Sequence, residues 1–289
     1  MTLSELYVQT RKALMAQEDA NTAGILAREI LCYVTGKSKE QFLAQRNHYA
    51  TGQEYLEAEG LVNRILSGEP LAYVLGEWEF YGMKLTVTPD VLIPRDDTCA
   101  VTELAIKQAL FLDANPRILD LCTGSGCIGL AIANRVKDAR VTLADISREA
   151  IQIAKKNITA QKLSARVSCV QANALEQPNA FLGKFDLIVS NPPYITTEEM
   201  KQLPASVANF EPHLALYGGE DGLDFYRSIT ANYKNALKDG GFLAFEFGMG
   251  QGDAVCALLE ENGYTILERS RDYNDRERAV LAQLTRKDA

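Results

Sequence analysis

The sequence predicts an α/β protein with a mainly parallel sheet covered by helices on both faces, preceded by a small helical bundle. Three observations carry that reading. From residue 117 onward, apolar strand-like runs alternate with helix-periodic stretches, the pattern of a parallel sheet with helices on both sides. Residues 1–75 instead repeat apolar positions at three- and four-residue spacing throughout. Between them, GEWEFYGMKLTVTPD at 76–90 gathers aromatic and β-branched residues around Gly82, the signature of a hairpin.

Taken in order, LSELYVQTRKALMA, NTAGILAREILCYVTG and TGQEYLEAEGLVNRILSG read as helices, punctuated by Gly36, Gly52 and Gly68. The hairpin at 76–90 serves as a linker. VLIPRDDT then leads into a helix, TCAVTELAIKQALFL. RILDLC, ARVTLAD, ARVSCVQ and KFDLIVS read as strands, with helices IGLAIANRV and REAIQIAKKNITAQK between the first three. DFYRSITANYKNAL is helical, GGFLAFEFG a strand and GDAVCALLEENG a helix; YTILERS and RAVLAQLT close the chain as strands. The link between those two is too short for a helical crossover, so they pair antiparallel.

Composition narrows the function. Hydrophobic residues at 47% and charged residues at 24% are ordinary for a globular protein with a sizeable core. No apolar run approaches the roughly 18 residues that span a bilayer, and MTLSELYVQTRKALMAQ lacks a signal peptide's apolar centre; a cytoplasmic location is expected. A net charge of −8 argues against a protein that grips duplex DNA through phosphates. Six cysteines without a C-x-x-C pair, and only two histidines, argue against a zinc site; no metal is expected.

The first strand of the second region runs into DLCTGSGCIG at 120–129. Gly124, Gly126 and Gly129 fit G-x-G-x-x-G, in which glycines permit a tight turn and close approach to a ligand. The helix that follows offers free N–H groups to an anionic ligand group. Asp145, at the end of the second strand, stands near the ~20-residue spacing of a carboxylate that accepts ribose hydroxyls. A nicotinamide dinucleotide and S-adenosylmethionine both fit these features. Asp120, before the loop, suits an ammonium better than a pyrophosphate, which tilts the reading toward S-adenosylmethionine.

SNPPY at 190–194 follows the apolar strand FDLIV. Parallel sheets bind ligands beyond the carboxyl ends of their strands, so SNPPY and the glycine loop converge on one crevice. The chemistry suggested is methylation of a planar nitrogen, whose delocalised lone pair makes it a poor nucleophile. The Asn191 side-chain oxygen and the Pro192 carbonyl can accept its two N–H bonds. Pro192 and Pro193 stiffen the backbone, and Tyr194 offers a flat face for packing. Most of the rate would come from positioning.

This constellation resembles the release factor glutamine methyltransferases, the PrmC/HemK family. The resemblance runs along nearly the whole chain, through LIPRDDT, DLCTGSG, SNPPY, FEPHLALYGGEDGLDFYR and RDYNDRERAV. N-P-P-Y also occurs in adenine-N6 methyltransferases; the EPHLAL–GGEDGLDFYR stretch is the more specific. The resemblance implies a Rossmann-like class I methyltransferase sheet of seven strands, order 3-2-1-4-5-7-6, with the last strand antiparallel. It implies a substrate-recognition bundle at 1–75, a hairpin linker at 76–90 and a methyltransferase domain at 91–289. S-adenosylmethionine would sit against Cys122, Thr123, Gly124, Ser125 and Gly126, with Asp145 on the ribose, Asn173 and Ala174 near the adenine and Asn191 at the methyl end; the product is S-adenosylhomocysteine. Asn191, Pro192, Pro193 and Tyr194 would hold the glutamine of the Gly-Gly-Gln loop of class 1 peptide release factors. No coiled-coil heptads suggest a dimer, so a monomer is expected, with neither DNA nor a membrane as partner.

Several positions depart from the family pattern. Cys122 and Asp275 stand where glycine is usual, Cys99 where glutamate is, and Asn173–Ala174 where Asp and a bulkier residue are. Ala174 would cost about 1 kcal/mol of adenine contact. Arg95 either braces the crevice or touches the cofactor. His213 reads as a structural loop residue, Glu246 as either reaching the substrate or capping a helix turn, and the acidic run at 220–224 as a helix start. Two other functions stay open: an adenine-N6 nucleic-acid methyltransferase, and a non-catalytic translation-associated module.

Overall fold

The structure, a computed structural model, describes residues 1–285; the last four residues of the segment expected as 91–289 lie outside it. The chain forms two compact units, Met1–Glu77 with Ala205–Phe210, and Trp78–Pro204 with the residues from Glu211 on.

In the first unit, helices Leu3–Leu14, Ala20–Thr35 and Gly52–Leu66 enclose a core of Leu6, Leu14, Ile30, Leu31, Phe42 and Val62. Their starts are fixed by side chains that take up orphan N–H groups. Thr2 with Glu5 and Thr51 with Glu54 form capping boxes, and Asp19 accepts from Asn21 and Thr22. Two further helices, Lys39–Ala44 and Leu71–Leu75, are one to two turns long, too short to leave an apolar period in the sequence.

At the start of the second unit stands a hairpin, β1 (Glu77–Phe80, its first residue the last of the first unit's opening segment) and β2 (Met83–Thr86). Its two turn residues, Tyr81 and Gly82, both have positive φ, 51° and 73°, the backbone that matches the twist of a tight hairpin. The hairpin adds Phe80, Met83 and Leu85 to this unit's core. Asn157 clamps it: its side chain accepts from Thr86 N and donates to the carbonyls of Thr86 and Ser125.

The main sheet comprises β3 (Arg117–Leu121), β4 (Arg140–Asp145), β5 (Val167–Gln171), β6 (Phe185–Ser190), β7 (Leu237–Glu246), β8 (Tyr264–Arg271) and β9 (Glu277–Leu284). Its order is β5-β4-β3-β6-β7-β9-β8. Counted within the sheet this is 3-2-1-4-5-7-6, as expected. The first five strands run parallel, and β9 pairs antiparallel with both β7 and β8.

Strand alternation divides the core into two layers. Ile118, Val141, Leu143, Leu187 and Val189 face the helices Cys99–Leu110 and Cys127–Arg135, whereas Leu119, Leu121, Ile188 and Phe245 face Asp224–Asn232 and Gly252–Glu261. β3 lies at the switch between β4 and β6. Its carboxyl end therefore opens the crevice where ligands bind in such sheets.

Candidate active site

The turn after β3 carries the first half of the site. Gly124 and Gly126 have φ of 53° and 87°, which glycine adopts without strain. Gly129 serves close packing instead: a Cβ there would lie 2.3 Å from the Leu143 side chain and 3.0 Å from Asp120 Oδ2. Cys122 also has positive φ, 60°, so its side chain is held in the left-handed region at a cost of about 1–2 kcal/mol.

Asp120 does not do what its charge suggested. As position 120 shares a sheet face with Ile118, its carboxylate points at the helix Cys127–Arg135 and is fully buried. Oδ2 accepts from Thr123 Oγ1 at 2.6 Å and Gly129 N at 2.8 Å. Burial raises the carboxyl to about 7, against those two bonds. It braces the loop from behind and does not line the crevice.

Asp145, half-buried at the tip of β4, does line it. Its oxygens accept from Gly124 N at 2.9 Å and Ser147 N at 3.0 Å, which ties the glycine turn to the next helix start. Burial raises its pKa while those N–H groups lower it. Each oxygen keeps a lone pair for a ligand hydroxyl. Asn173 makes a local turn, accepting from Leu175 N and donating to Glu176.

The second half of the site lies at the end of β6. Asn191 is half-buried and lines the same crevice. Its amide nitrogen donates to Thr98 Oγ1 at 3.3 Å, which leaves the amide oxygen free of that contact. The backbone beyond it is held by the segment 211–224. Ile195 N donates to Leu216 O and Gly218 N to Ile195 O, both at 2.9 Å. The glycines of GGEDG are needed because two backbones touch here. A Cβ on Gly218 would meet Pro193 O at 2.6 Å, and one on Gly222 would meet Tyr194 O at 2.3 Å. Gln251 closes the arrangement by donating to Tyr194 O at 3.0 Å.

Three charged clusters brace this framework. Arg95 pairs with the buried Glu211, whose other oxygen accepts from Ile93 N at 3.3 Å, so LIPR is locked to FEP. Arg278 joins Asp97 at 2.9 Å and Asp272 at 3.1 Å, linking the 3-10 turn Asp96–Thr98 to β9. Arg227 pairs with Asp221 and Asp224 at the start of Asp224–Asn232, so the acidic run is in part a helix start. His213 is exposed, with its ring 5.7 Å from that of Tyr217, and lies off the crevice wall. Glu246 is buried behind Asn191, beside Thr98.

Of the residues singled out from sequence, Cys122, Gly124, Asp145, Asn173, Ala174, Asn191 and Pro193 line one crevice. Thr123, Ser125, Gly126 and Pro192 are buried off its wall, and Tyr194 is half-buried against the second core layer. Sequence reasoning missed Asp90 and the apolar wall of Ile146, Leu175, Leu214 and Phe225. Ile146, Leu175 and Leu214 are exposed by 41%, 46% and 54%, a signal visible only once neighbours are known. The wall carries carboxylates at 90 and 145 and no lysine; its charged groups favour a cation over a pyrophosphate. Among the described residues no group of three or more His, Cys, Asp or Glu could hold a metal, and no helix is long and apolar enough to cross a membrane.

A glycine turn after the first sheet strand, a carboxylate at the tip of the second and an Asn-Pro-Pro-Tyr after the fourth, on this sheet order, define a class I methyltransferase. Residues 101–209 match the family described as "Methyltransferase small domain" and residues 5–76 match "PrmC N-terminal domain". The chain is 38% identical over 253 residues to a release factor glutamine methyltransferase of Clostridium acetobutylicum, covering 88% of each. It is 34% identical to one of Agrobacterium fabrum, covering 96% of each. It belongs to the release factor glutamine methyltransferase family. A methyltransferase of Pyrococcus furiosus shares the fold at 17% identity and a TM-score of 0.52, over 78% of this chain and 98% of that one.

Proposed function

We propose that this enzyme methylates the side-chain amide nitrogen (N5) of the glutamine in the Gly-Gly-Gln loop of class 1 peptide release factors, using S-adenosylmethionine. The observation that carries the reading is the placement of Asn191 on the same crevice wall as Asp145 and Gly124. An amide acceptor for a flat NH2 group and a carboxylate for a ribose thus share one cleft.

The crevice residues fit the cofactor. Asp145 would accept the ribose hydroxyls, Ile146, Leu175 and Ala174 would cover the adenine, and the carboxylate of Asp90 suits an amino group. Gly124 leaves room at the loop, since a Cβ there would meet nothing within 4 Å. When bound, the sulfonium supplies an electrophilic methyl group and leaves as S-adenosylhomocysteine.

The chain's own residues supply orientation. Asn191 Oδ1 and the Pro192 carbonyl would accept the two N–H bonds of the glutamine amide, fixing its nitrogen toward the crevice. Tyr194, packed against the second core layer, would anchor the backbone that carries these acceptors. These acceptors also stabilise the positive charge that develops on the nitrogen as it gains a methyl. The nitrogen then releases one proton to water, so no protein base is required. The bundle at 1–75 would recognise the release factor, in the cytoplasm and as a monomer.

Incubation with methyl-labelled S-adenosylmethionine and, separately, a class 1 release factor or duplex DNA tests the reading. Label is expected on the release factor and is expected to vanish when the loop glutamine is replaced by glutamate. Label on DNA alone, or cofactor binding without transfer, would overturn it.

A further inference from the structure

A buried carboxylate behind the acceptor has no assigned task. Glu246 ends β7 and is 1% exposed, and its Oε2 has no hydrogen-bond partner. The parallel register of β6 and β7 pairs Ser190 with Phe245. The next residues out along the two strands are Asn191 and Glu246, side by side at adjacent tips. Thr98, 2% exposed, stands at the same point and receives the Asn191 amide nitrogen. Leaving a carboxylate buried and half-satisfied is costly, and such a group tends to mark a functional constraint.

We propose that Glu246 is a positioning residue that, with Thr98, holds the Asn191 amide with its nitrogen inward and its oxygen facing the crevice. A primary amide can rotate by half a turn and exchange its donor and acceptor ends. An acceptor carboxylate on the inner side admits the nitrogen and rejects the oxygen. When ionised, it also polarises the amide, which makes the outward oxygen a stronger acceptor. The neighbouring charges do not take over this task. Arg278 is already paired with Asp97 and Asp272, and Tyr226 donates to the Glu246 backbone carbonyl rather than to the carboxylate.

The inference rests on the function proposed above, and Glu246→Gln separates the two. Glutamine keeps the size but offers a donor as well as an acceptor, so the Asn191 amide is free to flip. Turnover on the release factor is expected to fall at least tenfold, with KM for S-adenosylmethionine within twofold of wild type. The urea midpoint is expected to hold or rise, because a buried charge is removed; a lowered midpoint together with lost turnover would mean a structural role and overturn the proposal. The Asn191 side-chain 15N–1H pair, assigned by its loss in Asn191→Ala, is expected to shift in Glu246→Gln. That arm reads the inference even if wild-type enzyme transfers nothing to a release factor, the outcome that would sink the function alone. An unmoved Asn191 signal, or turnover within twofold of wild type, overturns the positioning role.

Discussion

Replacing Gly218 by alanine adds one methyl group where two backbones touch. The new Cβ would stand 2.6 Å from Pro193 O and 2.7 Å from Tyr194 Cα, whereas ordinary contact begins near 3.4 Å. Neither neighbour is a flexible side-chain tip, so the segment Pro193–Tyr194 must move by roughly 0.7–1 Å, at about 1–3 kcal/mol for overpacking. A misplacement of about 1 Å in a positioning site costs on the order of 100-fold in rate. Transfer of labelled methyl to a release factor, measured beside urea unfolding, reads both effects. Gly52→Ala is the control, since a Cβ there meets nothing within 4 Å. Expected results are a midpoint loss and a rate loss for Gly218→Ala, and neither for Gly52→Ala. A Gly218→Ala enzyme with full turnover and an unchanged midpoint would refute the reasoning that this glycine shapes the acceptor segment.

Asn191→Ala should abolish transfer while equilibrium dialysis shows cofactor affinity falling only a few-fold. Asp275, at φ of 60° in the turn before β9, should tolerate glycine with equal or higher stability; Asp275→Val should lose about 1–2 kcal/mol in urea unfolding, since a β-branched residue is strained there. Burial raises the Glu246 carboxyl from 4.5 to about 7. The stability linked to its protonation is fully present below about 4.5 and lost as pH rises through about 7. The stability of Glu246→Gln relative to wild type should therefore climb between those values, by an order of 1–3 kcal/mol, and level off above them. A difference that is flat with pH would show that this carboxyl does not titrate in that range.

The strand–helix alternation and the meeting of the glycine turn with Asn-Pro-Pro-Tyr were legible because strand and helix periods differ and parallel strands place their tips on one side; the sheet order was implied only by the family resemblance, since a strand's period does not say which strand it pairs with. Asp120 was misread by charge alone; its even position beside Ile118, facing a helix, follows from strand alternation and places it behind the loop. Asp90 was hidden because it sits in what reads as a linker, and only folding brings it to the crevice. The departures at Cys122 and Asp275 were visible as substitutions, but their meaning lies in the backbone, since both residues have φ of 60°. Arg95 was open between two roles until its pairing with Glu211 placed it in the frame. The role of Glu246 needed the register of β6 against β7, which no local pattern specifies.

A crystal structure with a non-reactive cofactor analogue and a Gly-Gly-Gln peptide tests the acceptor geometry most directly. We expect Asn191 Oδ1 and the Pro192 carbonyl each within about 3 Å of the glutamine amide nitrogen, and the ribose on Asp145. An Asn191 side chain turned inward at its oxygen, or a peptide glutamine bound away from residues 191–194, would contradict it.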